Sequence, residues 1–74
     1  MSNQTPEYLE HEVMVHRYLY YVEAQPIISD FEYDVIERQA REVLPETSPV
    51  HRVGSSLPSS YSQNVIKDAL NRIN

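Results

Sequence analysis

The chain contains no cysteine and only one glycine, Gly54. The first absence excludes a disulfide framework and a thiolate metal site. The second excludes a glycine-rich loop of the kind that cradles phosphates. Lysine occurs once, at Lys67, and the arginines at 17, 38, 41, 52 and 72 are scattered along the sequence. Eleven acidic residues against six basic ones give a formal charge of −5. That charge opposes a phosphate backbone, and counterion release needs clustered basic residues, so direct nucleic-acid binding is not expected. The sequence also lacks an apolar run long enough to span a bilayer and the basic-then-apolar order of a signal peptide. A cytoplasmic location is the expectation, and the missing cysteines agree with it. At 74 residues the chain is one small domain near the lower limit for an unstapled apolar core, so its stability must come from helix packing.

What is present reads as an all-α fold: an antiparallel helical hairpin, an irregular Pro/Ser-rich connector and a short third helix. After a frayed start at about residues 1–5, Thr5 and Pro6 make a helix opening, with threonine as N-cap and proline at the first helical position. Apolar spacing through Leu9, Val13, His16 or Arg17, and Tyr20, flanked by Met14, Tyr18, Tyr21 and Val22, predicts a helix from Pro6 to about Val22. A second helix is predicted from Asp30 to Leu44. Phe31, Val35, Ile36, Ala40, Val43 and Leu44 are expected on its buried side, with Glu37, Arg38, Arg41 and Glu42 on its solvated face. Pro45 ends it. Residues 45–62 are expected to be mostly irregular, with a short strand around Val50 to Val53. Ser62 then caps a helix over 63–74 whose stripe is Val65, Ile66, Ala69, Leu70 and Ile73. Such a short helix must pack against the hairpin or a partner.

The informative stretch is Tyr20 to Asp34. Ser29-Asp30-Phe31-Glu32 has the form of a capping box, which fixes where the second helix starts. The connector from Glu23 to Ile28 is short, so the end of the first helix and the first turn of the second are expected to be neighbours. Tyr20 and Tyr21 then face Asp30, Tyr33 and Asp34, which share one helix face. Tyrosine rings and carboxylates suit a flat organic cation bearing hydroxyls, such as a nicotinamide riboside. The plainer reading stays open beside it, because acidic residues favour a first helical turn whatever the function, and aromatics at a hairpin corner are commonly core. His11 and His16 fall on different helix faces and are read as solvated or rim residues, and His51 has no second ligand nearby. No metal and no hydrolytic triad are expected.

Tyr20-Tyr21, Pro26, Ile28-Ser29-Asp30 and Glu32-Tyr33-Asp34, followed by Ser48-Pro49-Val50-His51-Arg52-Val53-Gly54, resemble the amino-terminal Ia domain of bacterial NAD-dependent DNA ligases. That family has a Tyr-Tyr or Tyr-His pair, a proline, an Ile-Ser-Asp-x-Glu-Tyr-Asp run and a Ser-Pro-Thr-Gln-Arg-Val-Gly segment in this order. The resemblance covers about residues 14–63. It implies recognition of the nicotinamide mononucleotide half of NAD, with Tyr20, Tyr21, Asp30, Tyr33 and Asp34 as the contacts. It also implies a ligase adenylation domain as partner, in the same chain or in trans, whose lysine attacks the adenylyl phosphate. The Ia part orients the leaving group and performs no chemistry itself. Lys67-Asp68-Ala69-Leu70 does not match the family's Lys-x-Asp-Gly adenylation motif, so this chain alone is not expected to seal DNA. Beyond Gln63 the sequence departs from the family pattern, which suggests a module closed off as a small protein. The alternative is an interaction module that docks on or regulates a ligase by mimicking its Ia domain.

Overall fold

The computed structural model describes residues 5–74; the start expected to be frayed lies, at residues 1–4, outside them. Helix α1 spans Pro6–Arg17, and the Thr5 hydroxyl accepts from the Tyr8 amide at 3.1 Å. The helix runs on as a π-helical turn, Tyr18–Val22. Thus the span expected to be helical is helical to its end, but the last turn is wider. Its closing bonds run from the Glu23 amide to the Tyr18 carbonyl and from the Gln25 amide to the Leu19 carbonyl, at 3.1 and 2.8 Å. Ala24, with φ of 56°, then turns the chain, at a cost of about 1 kcal/mol for a residue that carries a Cβ.

Helix α2 spans Asp30–Val43 and opens with the expected capping box. The Ser29 hydroxyl accepts from the Glu32 amide at 3.1 Å, and the Glu32 carboxylate accepts from the Ser29 amide at 3.0 Å. Helix α3 spans Gln63–Ile73, capped by Ser62. Between α2 and α3 lie two 3-10 turns, Pro49–His51 and Pro58–Ser60. The strand expected around Val50 to Val53 is therefore corrected to a turn. Ser48 caps it and Pro49 pre-sets its first residue. The carbonyls of Pro49 and Val50 are taken by the Arg17 guanidinium rather than by a neighbouring strand.

Helix α1 is the middle layer of this all-α fold. On one side Leu9 and Val13 pack with Ala40 and Val50, flanked by Tyr33, Ile36 and Leu44. Because Arg17 meets Tyr33 while this cluster joins Leu9 to Leu44, α1 and α2 run antiparallel. On the other side Val15, Tyr18 and Leu19 pack with Tyr61, Val65 and Ala69, and the whole α3 stripe joins them. The Tyr18 and Tyr61 rings meet edge to face at 5.4 Å.

Burial on two sides overturns several expectations. His16, read as a rim residue, is buried, as are Glu12 and Arg17. Phe31 and Val43, expected in the core, are 77% and 50% exposed. Helix α2 touches the rest of the fold along one line only, and those two positions lie off it. Glu37, expected on the solvated face, is half-buried and paired with Arg17.

The buried charges form a seam where α1 meets α3. Arg72 grips both Glu12 carboxylate oxygens, at 3.0 and 2.6 Å, and also pairs with Asp68, which meets His11 at 2.7 Å. Hydrogen bonding to Arg72 holds the Glu12 and Asp68 carboxyls below the usual range. Burial pushes the His16 imidazole down, against the opposing pull of Glu12. Its Nε2 stands 3.6 Å from Glu12, and its Nδ1 is buried without a partner among the described residues. A histidine whose folded pKa is depressed favours the fold while neutral. That stability is complete above about pH 6.5 and is lost as pH falls from there towards the folded value. The carboxylates lose theirs in turn below about pH 4.5. The melting temperature is therefore expected to fall from pH 7 to pH 5.5, and His16→Gln to flatten that slope. Equal slopes in the two proteins, measured by circular dichroism, would contradict the assignment to His16.

Candidate functional site

The site begins with Arg17, at the last position of α1, where the π-turn starts. Its guanidinium is 4% exposed and has four acceptors. Nε donates to the Tyr33 hydroxyl at 2.8 Å, Nη1 to the Pro49 carbonyl at 3.1 Å, and Nη2 to Glu37 at 2.7 Å and to the Val50 carbonyl at 2.9 Å. One side chain thus ties α1 to two positions on α2 and to the turn after it. Burial raises the Glu37 pKa, but the Arg17 hydrogen bond and charge outweigh it and leave the carboxyl below its usual range. Burial pushes the Tyr33 phenol up, offset in part by the same arginine.

Over this base opens a cleft of about 320 Å³ at the hairpin corner. All five residues singled out in the sequence line it: Tyr20 and Tyr21 from the π-turn, and Asp30, Tyr33 and Asp34 from the first turns of α2. Pro26, Ile27 and Ile28 of the connector, with Ser29, form a further wall, and His16, Arg17 and Glu37 complete the lining. These five side chains are therefore gathered rather than splayed, and the cleft is open. Tyr20 and Tyr21 are 55% and 45% exposed. Their rings stand edge to face, 4.9 Å between centroids and 89° between planes, an arrangement that aromatic pairs favour.

The charges around the cleft nearly cancel. Arg17 is matched by Glu37, and Asp34 by Arg38. Asp30 has no ion-pair partner among the described residues. Arg41 also stands 3.4 Å from Glu37, so the carboxylate left without a cation beside the tyrosine faces is that of Asp30. That balance suits a singly charged organic cation. No group of three or more metal-ligating side chains occurs among the described residues.

Sequence reasoning missed Arg17, Glu37 and the apolar connector wall. It also passed over what Gly54 does. A Cβ built on Gly54 would lie 2.1 Å from Tyr21 Cε2 and 2.8 Å from its Cζ. The Tyr21 ring therefore rests on bare backbone, and only glycine admits it there. The Ser48 to Gly54 segment thus supports the site twice, through its carbonyls to Arg17 and through Gly54 to Tyr21.

The fold and cleft define a small all-α module built on a helical hairpin with an aromatic and acidic corner. No protein-family model and no solved structure matches the chain. It is similar to one segment of proteins named DNA ligase. Identity is 47% over 62 residues with that of Protochlamydia amoebophila, taking in 74% of this chain and 9% of the relative. With that of Fervidobacterium nodosum it is 44% over 65 residues, 78% of this chain and 10% of the relative. With that of Pelodictyon phaeoclathratiforme it is 35% over 88 aligned positions, 88% of this chain and 13% of the relative. The chain thus spans about a tenth of the length of these relatives.

The fit between Gly54 and Tyr21 can be tested directly. Gly54→Ala is expected to drive the Tyr21 ring off its seat, break the Tyr20–Tyr21 edge-to-face pair and cost about 1 kcal/mol. The checks are two-dimensional NMR of the aromatic protons and a thermal melt. Unshifted Tyr21 signals would contradict the packing described.

Proposed function

We propose that the chain is a ligase-type module that recognises the nicotinamide mononucleotide half of NAD. The observation that carries this reading is one open cleft in which Tyr20, Tyr21, Asp30, Tyr33 and Asp34 converge. A pyridinium ring would stack on a tyrosine face, where the ring quadrupole attracts it. Ribose hydroxyls and the carboxamide would donate to the Asp30 and Asp34 carboxylates. Similarity to segments of DNA ligases supports the ligase part of this reading. The role is to hold a leaving group. A partner adenylation domain would hold the rest of NAD and supply the attacking lysine, and the module would set the angle between them. With half of the dinucleotide site elsewhere, affinity for the free mononucleotide is weak.

A second reading is a protein-docking role in which the hairpin corner seats on a ligase and alters its adenylation. It is favoured by exposed apolar side chains at the same corner, Ile27 at 45% and Phe31 at 77%. Under that reading the adenylation rate of an NAD-dependent ligase changes with excess module, and Phe31→Ser abolishes the change.

Titration of the labelled protein with nicotinamide mononucleotide separates the two. At roughly millimolar ligand the Tyr20, Asp30 and Tyr33 signals are expected to shift in a saturable way, and Asp30→Ala to weaken binding about tenfold. Unmoved signals at that concentration would end the ligand-binding reading.

A further inference from the structure

Tyr33 differs from the other cleft tyrosines in what holds its oxygen. A phenol hydroxyl has one hydrogen to donate and lone pairs to accept with. The Arg17 Nε–H already occupies the accepting side at 2.8 Å. Arg17 can only donate, so the Tyr33 proton cannot point at it. Among the described residues its one acceptor is Glu37, at 3.4 Å, beyond the usual range for an O–H···O bond. That same carboxylate oxygen already accepts from Arg17 at 2.7 Å and faces Arg41 at 3.4 Å. The hydroxyl proton is thus poorly served inside the protein, and the oxygen that carries it is polarised by a buried cation. Both effects make it a better donor to something else.

We infer that Arg17 is a positioning residue that fixes Tyr33 as a hydrogen-bond donor into the cleft, so that the site selects ligands presenting an acceptor there. This rests on the proposed recognition of nicotinamide mononucleotide. It divides the polar work of the cleft in two. Asp30 and Asp34 accept and so meet hydroxyl or amide donors on the ligand, while Tyr33 donates and so meets a carboxamide, ribose or phosphate oxygen. Arg17 contributes without touching the ligand. Although Arg17 borders the cleft, its route to the ligand is the Tyr33 oxygen, with the Pro49 and Val50 carbonyls and Glu37 keeping the guanidinium from swinging.

The test is a titration of the whole chain with nicotinamide mononucleotide, in the native protein and in one carrying 3-fluorotyrosine at position 33. Fluorine makes the phenol a stronger donor and a weaker acceptor without removing it, so the fold and the Arg17 contact are kept. With the phenol protonated, binding is expected to tighten about twofold. Weaker binding would mean that Tyr33 accepts from the ligand, and unchanged binding that it makes no bond to it; either overturns the inference while leaving mononucleotide recognition standing. No binding by the native protein would instead remove the functional reading and this inference with it. A second arm tests the route through Tyr33. Tyr33→Phe and Arg17→Lys are each expected to weaken binding, by about tenfold and about threefold respectively, and the double variant to bind as Tyr33→Phe does. Additive losses would show Arg17 acting on the ligand by another path, and dispersed amide spectra confirm that each variant is folded.

Discussion

The buried guanidinium of Arg17 is the contact on which the rest of the structure depends. It sits where α1 opens into a π-turn, and its four acceptors belong to two different parts of the chain that sequence separates widely. Placing a cation at 4% exposure is costly unless its charge and donors are met. Here Glu37 meets the charge, and Tyr33 with two backbone carbonyls meets the donors. Removing one partner from such a pair typically costs about 3–5 kcal/mol, a large share of the stability of so small a domain. The same contact sets the spacing between the tyrosines of the π-turn and the first turns of α2. Folding and the shape of the cleft are in this sense one event.

Around that contact the fold solves a problem of size. A chain of 74 residues has too little apolar volume for one large core, and it builds two thin ones on opposite sides of α1. The seams between them are closed by polar groups: Arg17 with Glu37 towards α2, and Arg72 with Glu12 towards α3. This arrangement leaves the hairpin corner free of core duty. Tyr20 and Tyr21 remain half in solvent there because Val15, Tyr18 and Leu19 have taken the packing positions. The π-turn belongs to the same logic, since its extra residue per turn changes which side chains face the corner, and such turns recur where helices carry function.

Much of this was legible in the sequence, for local reasons. Thr5, Ser29 and Ser62 cap the three helices as their residue types dictate. Pro45 follows the end of α2, and the α3 stripe is the one that packs. The convergence of Tyr20, Tyr21, Asp30, Tyr33 and Asp34 follows from a short connector and a capping box alone. What could not be read depended on partners distant in sequence. Periodicity put His16 or Arg17 on the apolar stripe of α1 but left out Glu12, and the polar residue types spoke against burying any of them; a helix covered on two sides takes in all three. Phe31 and Val43 look like core in a helical wheel and are exposed because nothing among the described residues covers that side of α2. Val50 to Val53 has strand-forming residues, but Ser48, Pro49 and the Arg17 guanidinium fold it into a turn. Gly54 was visible as a motif residue, while its reason, the Tyr21 ring, appears only in three dimensions.

The central claim is that Arg17 is a fixed, dry fastener and not a mobile surface charge. Its side-chain Nε–H signal in a nitrogen-15 NMR spectrum tests this most directly. The account predicts a separate resonance for this one arginine, slow to exchange with solvent and with a through-space contact to the Tyr33 ring. A signal averaged with the exposed arginines and exchanging freely with water would contradict it.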